Sequence, residues 1–216
     1  MLARDLIHRL HGTDVYAGFV PTFGEDLQGW NSQAAIFPEF VDREHPRTVV
    51  DVGVWKGGST VFLAELLRTS GIDGAVIAVD TFLGSNEHWI VGSGAFDLIP
   101  RRHGLPLLYE QFLCNVVRRG LQEYVVPLPL TSDAAAVVLR RAGIVADLIH
   151  IDAAHDYASV LRDARAYWQI LSPNGLLVGD DYHHTWPEVV RAADDFASEC
   201  GLPLKVSGPK WIVRKG

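Results

Sequence analysis

From Arg47 onward, short apolar runs alternate with amphipathic stretches, and this alternation constrains the fold more than any other feature of the chain. The runs Thr48–Val52, Ala75–Asp80, Tyr124–Pro127, Ala146–Asp152 and Leu176–Gly179 predict strands. Each is apolar on both sides, the pattern of strands covered by helices above and below. The intervening stretches Ser59–Arg68, Leu108–Arg119, Ser132–Ala142, Tyr157–Leu171 and Pro187–Cys200 predict helices. An α/β fold with a mostly parallel sheet follows. Near the end, Pro203–Val206 and Lys210–Arg214 flank Ser207-Gly208-Pro209, a turn signal that predicts a closing antiparallel hairpin.

Residues 1–46 read as a helical cap, with a short helix near Leu2–Leu10 and a second near Ser32–Val41. Residues 47–216 form the main domain, in which Thr81–Leu107 is the one long connection, of a length usual for a lid or substrate segment. With 216 residues and 48% hydrophobic content, the chain can bury one sizeable core. Its formal net charge of -7 disfavours nucleic acid, and Arg101, Arg102, His103, Arg118, Arg119 and Arg140 are scattered rather than massed. Cys114 and Cys200 are too few for a disulfide framework or a four-thiolate zinc site, which fits a cytoplasmic protein. The start, Met1-Leu-Ala-Arg-Asp-Leu, carries charges where a secretory signal needs an apolar stretch. No apolar run approaches the roughly 18 residues that span a bilayer, so no membrane partner is expected. The N-terminal segment and the long connection offer surfaces for a homodimer, although nothing requires one.

Asp51-Val-Gly-Val-Trp-Lys-Gly-Gly-Ser59 follows the first strand and opens a helix. Glycines let such a turn fold tightly and approach a ligand. A nicotinamide dinucleotide site would read G-x-G-x-x-G, with pyrophosphate on the helix N-terminus. Here the spacing is Gly53-x-x-x-Gly57-Gly58, and Asp51 beside it would repel pyrophosphate but attract an ammonium group. Asp80, ending the second strand, stands where such folds place an acid on a ribose diol.

A second constellation ends the fourth and fifth strands. Asp152, in Ile-Asp152-Ala-Ala-His155-Asp156, and Asp180-Asp181 would meet at one rim, because strands joined by a crossover commonly neighbour one another. Three crowded carboxylates repel unless a cation or protons compensate. Their hard oxygens suit magnesium, calcium or manganese. The competing reading makes Asp156 a helix cap and Asp180 and Asp181 solvated loop acids. His155 is the candidate base, since an imidazole of pKa about 6.5 is neutral at physiological pH and a nearby metal site would disfavour imidazolium further; a structural helix-start histidine is the alternative. His183 and His184 would suit a transition metal, but adjacent residues project differently.

The D-x-G-x-x-x-G turn, the Asp80 strand end and the final hairpin together resemble the class I S-adenosylmethionine-dependent methyltransferases, from Val49 to the end. The resemblance implies a Rossmann-like seven-stranded, mostly parallel sheet with helices on both faces and a C-terminal antiparallel hairpin. It implies that Asp51, Gly53 and Gly57 surround the methionine part of the cofactor, that Ser59 hydrogen-bonds it, and that Asp80 holds the ribose. Thr131 and Ser132 fall where the family contacts adenine, although a helix N-cap explains Ser132 equally well. The acidic set further resembles the metal-dependent small-molecule O-methyltransferases, including sugar enzymes. By that likeness Asp152, Asp180 and Asp181 hold a divalent cation, with magnesium preferred, and Asp152 and His155 act in catalysis on a small-molecule acceptor such as a sugar or catechol. The sequence departs from the group in having Ala153 where glycine is more usual, and Thr81–Leu107 aligns to no known substrate pattern.

Trp89, Phe96, Tyr109 and Phe112 could line an acceptor pocket or anchor the long segment to the core, and Trp30 could close over the methionine end or pack in the core. Three rivals remain. A nicotinamide oxidoreductase is disfavoured by the turn spacing and the hairpin. A non-catalytic binding module is disfavoured by the joint presence of Asp51, Asp80 and the acidic set. An RNA or protein methyltransferase is disfavoured by the net charge.

Overall fold

The computed structural model describes residues 2–216, so of the expected cap only residue 1 lies outside the described residues. Helices α1 (Leu2–His11) and α2 (Ile36–Glu44) precede β1 (Thr48–Val52), α3 (Gly58–Thr69) and β2 (Ala75–Val79). The long connection carries two single-turn 3-10 helices (Asn86–Trp89 and Phe96–Leu98) and a two-residue hairpin, β3 (Arg101–Arg102) with β4 (Leu105–Pro106). Then follow α4 (Leu108–Arg118), β5 (Val125–Leu128), α5 (Ser132–Arg141), β6 (Ala146–Ile151), α6 (Tyr157–Trp168), β7 (Leu171–Gly179), α7 (Pro187–Cys200), β8 (Lys205–Ser207) and β9 (Lys210–Arg214).

The main sheet has seven strands in the order β5-β2-β1-β6-β7-β9-β8. β5, β2, β1, β6 and β7 run parallel, and β9 is antiparallel to both β7 and β8. Alternate residues of each central strand feed opposite cores. Val50, Val52, Ile77, Val79 and Ile149 join α1, α5, α6 and α7, whereas Val49, Val76, Ala78 and Leu148 join α2, α3 and α4. Chain order reverses between β1 and β6, the switch point at which open α/β sheets bind ligands beyond their carboxyl ends.

Several boundaries differ from the sequence expectation. The helix expected over Tyr157–Leu171 stops at Trp168, and β7 begins at Leu171 rather than Leu176. Asn174 and Gly175 exchange backbone bonds of 2.9 and 3.0 Å with Lys215, so the chain end extends the strand that local propensity would break. The second cap helix starts at Ile36, not Ser32, and Pro38 sits in its first turn, where its missing N–H costs nothing.

The C-terminal hairpin docks through Trp211, which is 1% exposed. Its indole lies over Gly179 so closely that a Cβ there would fall 1.9 Å from the ring. Gly179→Ala should therefore cost about 1–3 kcal/mol through overpacking. The expected result is a lower melting temperature with an altered near-ultraviolet circular dichroism signal from Trp211; an unchanged signal would contradict this packing.

Candidate active site

The glycine-rich turn is shaped by close approach. Gly53 has φ 84° and donates its N–H to Val79 O at 2.8 Å. A Cβ on Gly53 would lie 1.9 Å from the carbonyl oxygen of Asp152, so only glycine lets the end of β1 pass the end of β6. Gly57, at φ 91°, opens α3 with the Phe112 ring 2.8 Å from where its Cβ would stand. Phe112 is therefore core, and Tyr109 packs on Phe82 at 5.0 Å. Phe96 lies under the Arg101 guanidinium at 4.0 Å, while Trp89 is 48% exposed. The four aromatics fall into two groups, Tyr109 and Phe112 on Phe82, and Trp89 and Phe96 on Arg101. Trp30 is 65% exposed at the rim and is not part of the core.

Asp80 stands at the end of β2 beside the turn, accepting from the N–H groups of Trp55 at 3.0 Å and Phe82 at 2.7 Å. Burial raises its pKa despite those bonds. Asp51 is placed differently from the expectation. It is fully buried beneath the turn, and its oxygens accept from Ser59 Oγ at 2.8 Å, Thr60 Oγ1 at 2.6 Å and His150 Nδ1 at 2.8 Å. Burial alone would raise its pKa, but the His150, Thr60 and Ser59 bonds outweigh it and hold the carboxyl low. Asp51 thus supports the turn from below through its hydroxyls. Thr131 precedes α5 after β5, its hydroxyl on Asp133 at 2.5 Å. Ser132 is the first helical residue rather than the cap, and its buried Oγ has no hydrogen-bond partner among the described residues.

At the ends of β6 and β7, Ile151 pairs with Gly179, which brings Asp152 beside Asp180. Asp152, His155, Asp180 and Asp181 line one small cavity with Ala153, Val160 and Trp211. The acidic pair diverges because Asp181 has φ 61° and donates its N–H to Asp180 Oδ1 at 2.8 Å. Asp180 turns inward to Lys210 Nζ at 2.8 Å, and Asp181 turns outward to His155 Nε2 at 2.8 Å. The donor atoms accordingly gather as two overlapping sets that share Asp152: His150, Asp152 and Asp180, and Asp152, His155 and Asp181, each within 4.8 Å. His183 and His184 belong to neither set, their rings lying against each other at 3.9 Å. Asp156 caps α6 by accepting from Ser159 N at 3.0 Å.

Burial, with Asp180 and Asp181 alongside, pushes the Asp152 carboxyl up to about 8 and outweighs the nearby Lys210 and His155 charges, so its compensation is incomplete. That is the environment a divalent cation fits. Burial lowers the pKa of His150, helped by the Lys210 ammonium, so its imidazole is neutral. Without a cation in the pocket, the bond to Asp181 raises the pKa of His155. The His155 ring also stacks on Trp186 at 4.3 Å.

Four contributors escape the sequence reading. Lys210, His150 and Asn115 are almost wholly buried, and Lys56 is 4% exposed. Lys56 reaches Asp26 Oδ2 at 2.6 Å, and Asn115 donates to the carbonyls of Asp26 and Lys56, both at 2.7 Å, which straps the N-terminal segment over α4. A polar residue inside an apolar strand, as in Leu-Ile-His150-Ile, is the one signal that could have flagged any of them.

In protein stripped of divalent ions, histidine NMR should show His155 titrating above the usual histidine value, and Asp181→Asn should bring it down. Equal titration in both proteins would rule out the pair.

The sequence from residue 50 to residue 182 matches a family model described as a methyltransferase domain. No curated protein matches the chain by sequence. Among solved structures, the chain is similar to the O-methyltransferase NovP, at 19% identity and a TM-score of 0.62, over 83% of this chain and 76% of that one. It is similar to an O-methyltransferase from Bacillus cereus solved in complex with SAH, at 14% identity and a TM-score of 0.60, over 97% of this chain and 100% of that one. It is also similar to TomG from Streptomyces achromogenes, an O-methyltransferase of tomaymycin synthesis solved with SAM, at 14% identity and a TM-score of 0.59, over 97% and 99% of the two chains. At such identities the likeness concerns the fold. Among the described residues, no helix is long and apolar enough to cross a membrane. The family match takes in both the glycine-rich turn and the acidic pocket, and the chain belongs to the methyltransferase-domain family.

Proposed function

We propose that the protein transfers a methyl group from S-adenosylmethionine to a hydroxyl of a small molecule, a sugar diol or catechol-like acceptor, assisted by a divalent cation. The observation that carries this reading is the shared wall of the two sites. The Gly53 Cα packs on the backbone of Asp152, so a cofactor on the turn and an acceptor over the acidic pocket are neighbours. The O-methyltransferases of similar fold, two of them solved with SAM or SAH, support the choice of cofactor and of oxygen as acceptor.

Asp80 accepts the ribose hydroxyls, and the backbone of the turn with Ser59 takes the methionine end. Thr131 and Ser132 stand at the adenine side. S-adenosylmethionine supplies an electrophilic methyl whose bond to sulfur breaks as the bond to oxygen forms. Asp152, Asp180 and Asp181 are the oxygen donors for the cation, and magnesium suits them. When bound, such an ion lowers the pKa of an acceptor hydroxyl by Lewis acidity. With its Nε2–H donated to Asp181, His155 takes the hydroxyl proton at Nδ1, Asp181 stabilises the imidazolium, and stacking on Trp186 fixes the ring plane.

Two measurements test this. Asp80→Ala should weaken S-adenosylhomocysteine binding about tenfold or more, as expected for loss of charged hydrogen bonds. Chelation, or Asp181→Ala, should lower the methyl-transfer rate by about 10–100-fold. Transfer that survives both treatments unchanged would sink the metal-assisted mechanism.

A further inference from the structure

Asp51, His150, Lys210 and Asp180 form one continuous buried chain on the sheet face covered by α2, α3 and α4. His150 lies opposite Asp51 in the β1–β6 register. Its Nδ1 is 2.8 Å from Asp51 Oδ1, its Nε2 is 2.9 Å from Lys210 Nζ, and that ammonium is 2.8 Å from Asp180 Oδ2. Chemistry fixes the direction of every bond. An ammonium only donates, so His150 accepts at Nε2 and donates from Nδ1 to the Asp51 carboxylate. The chain begins at Ser59 and Thr60 in the glycine-rich turn and ends at Asp180 in the acidic pocket.

Its members are shielded from bulk solvent, with Asp180 at the pocket end 5% exposed. Asp51 and Lys210 are 0% exposed and His150 is 1% exposed. The Phe37 ring of α2 covers both central members, with its centroid 5.2 Å from that of His150 and 5.7 Å from Lys210 Nζ. The Lys210 ammonium also stands against the His150, Asp152 and Asp180 set, contacting two of its three members. That inner set is therefore served by a cation belonging to the protein itself.

We propose that Lys210 and His150 couple the cofactor turn to the acidic pocket, so that filling one site strengthens binding at the other. Lys210 is a positioning residue in this scheme. Desolvating its ammonium is costly, and the bonds to Asp180 and His150 offset that cost only while both partners hold their places. A cation that shares the Asp180 and Asp152 charge pins one end of the chain. A ligand on the turn that meets Ser59, whose hydroxyl holds Asp51, pins the other. Each ligand then meets a partly ordered chain, and linkage makes the effect reciprocal. The inference rests on the proposed use of S-adenosylmethionine and a divalent ion.

The test is calorimetric titration of the full chain with S-adenosylhomocysteine, in EDTA and in saturating magnesium. The expected result is an affinity at least about fivefold tighter with magnesium. In His150→Phe and Lys210→Met, the ligand should still bind but the factor should fall to one. A merely structural role would lower melting temperature and affinity while leaving the factor intact, and that outcome overturns the proposal. A factor of one in the unmodified protein overturns it too. No binding of S-adenosylhomocysteine at all would instead overturn the cofactor reading beneath it. Should the variants not fold, NMR of the unmodified protein decides. The His150 Nδ1 proton should shift on adding either ligand alone, and a proton that responds to neither refutes the coupling.

Discussion

Between Val52 and Asp152 two parallel strands end so close together that no side chain fits on the first residue after β1. Gly53 makes the passage possible, and its N–H is held by Val79 O on the strand at the other side. The turn that follows, the acid at the end of β2 and the acids at the ends of β6 and β7 all take their positions from this crossing. A methyl or larger group on residue 53 would push β1 away from β6 at the switch point, and the two halves of the site would part together.

The crossing also concentrates charge in an apolar place. Asp51, Asp152 and Asp180 lie at the ends of mainly apolar strands, and buried carboxylates need partners. Asp51 finds Ser59, Thr60 and a neutral histidine; Asp180 finds a buried ammonium. Asp152 also feels Lys210 and His155, but burial and two like charges outweigh them and push it up to about 8. The sheet thus compensates its structural acids with its own side chains and leaves one acid short at the rim. That uneven distribution separates the acids satisfied within the fold from the one left short at the rim.

The strands and helices were legible because each unit declares itself locally. The helix α7 falls on Pro187–Cys200 as the apolar spacing and the initial proline require, and β1 falls on Thr48–Val52. The meeting of Asp152 with Asp180 was also readable, since it needs only two consecutive strands to be neighbours. Lys210 was not readable. It reaches Asp180 because β9 inserts antiparallel between β7 and β8, a tertiary choice that no local pattern records. Asp51 is a different case. Its place beside the glycines suggested contact with the ligand, whereas the two-residue period of β1 sends its side chain into the core. The α6–β7 boundary was misplaced because pairing with Lys215, over 40 residues later, decides it.

The turn has a second duty that follows from its two large residues. Trp55, held at φ 52° with its N–H on Asp80, lays its ring against His88 of the long connection at 4.6 Å. Lys56, next in sequence, sends its ammonium to Asp26 and Gln28 of the N-terminal strap at 2.6 and 3.0 Å. Adjacent side chains therefore anchor two covers that come from distant parts of the chain. The long connection is itself knitted by Arg101, which donates to the carbonyls of His88, Phe96 and Ile99, so it meets Trp55 as a formed unit rather than a loose loop. A ligand that orders the turn must also order the attachment points of both covers. Both covers thus hang on backbone already fixed by Gly53 and Asp80.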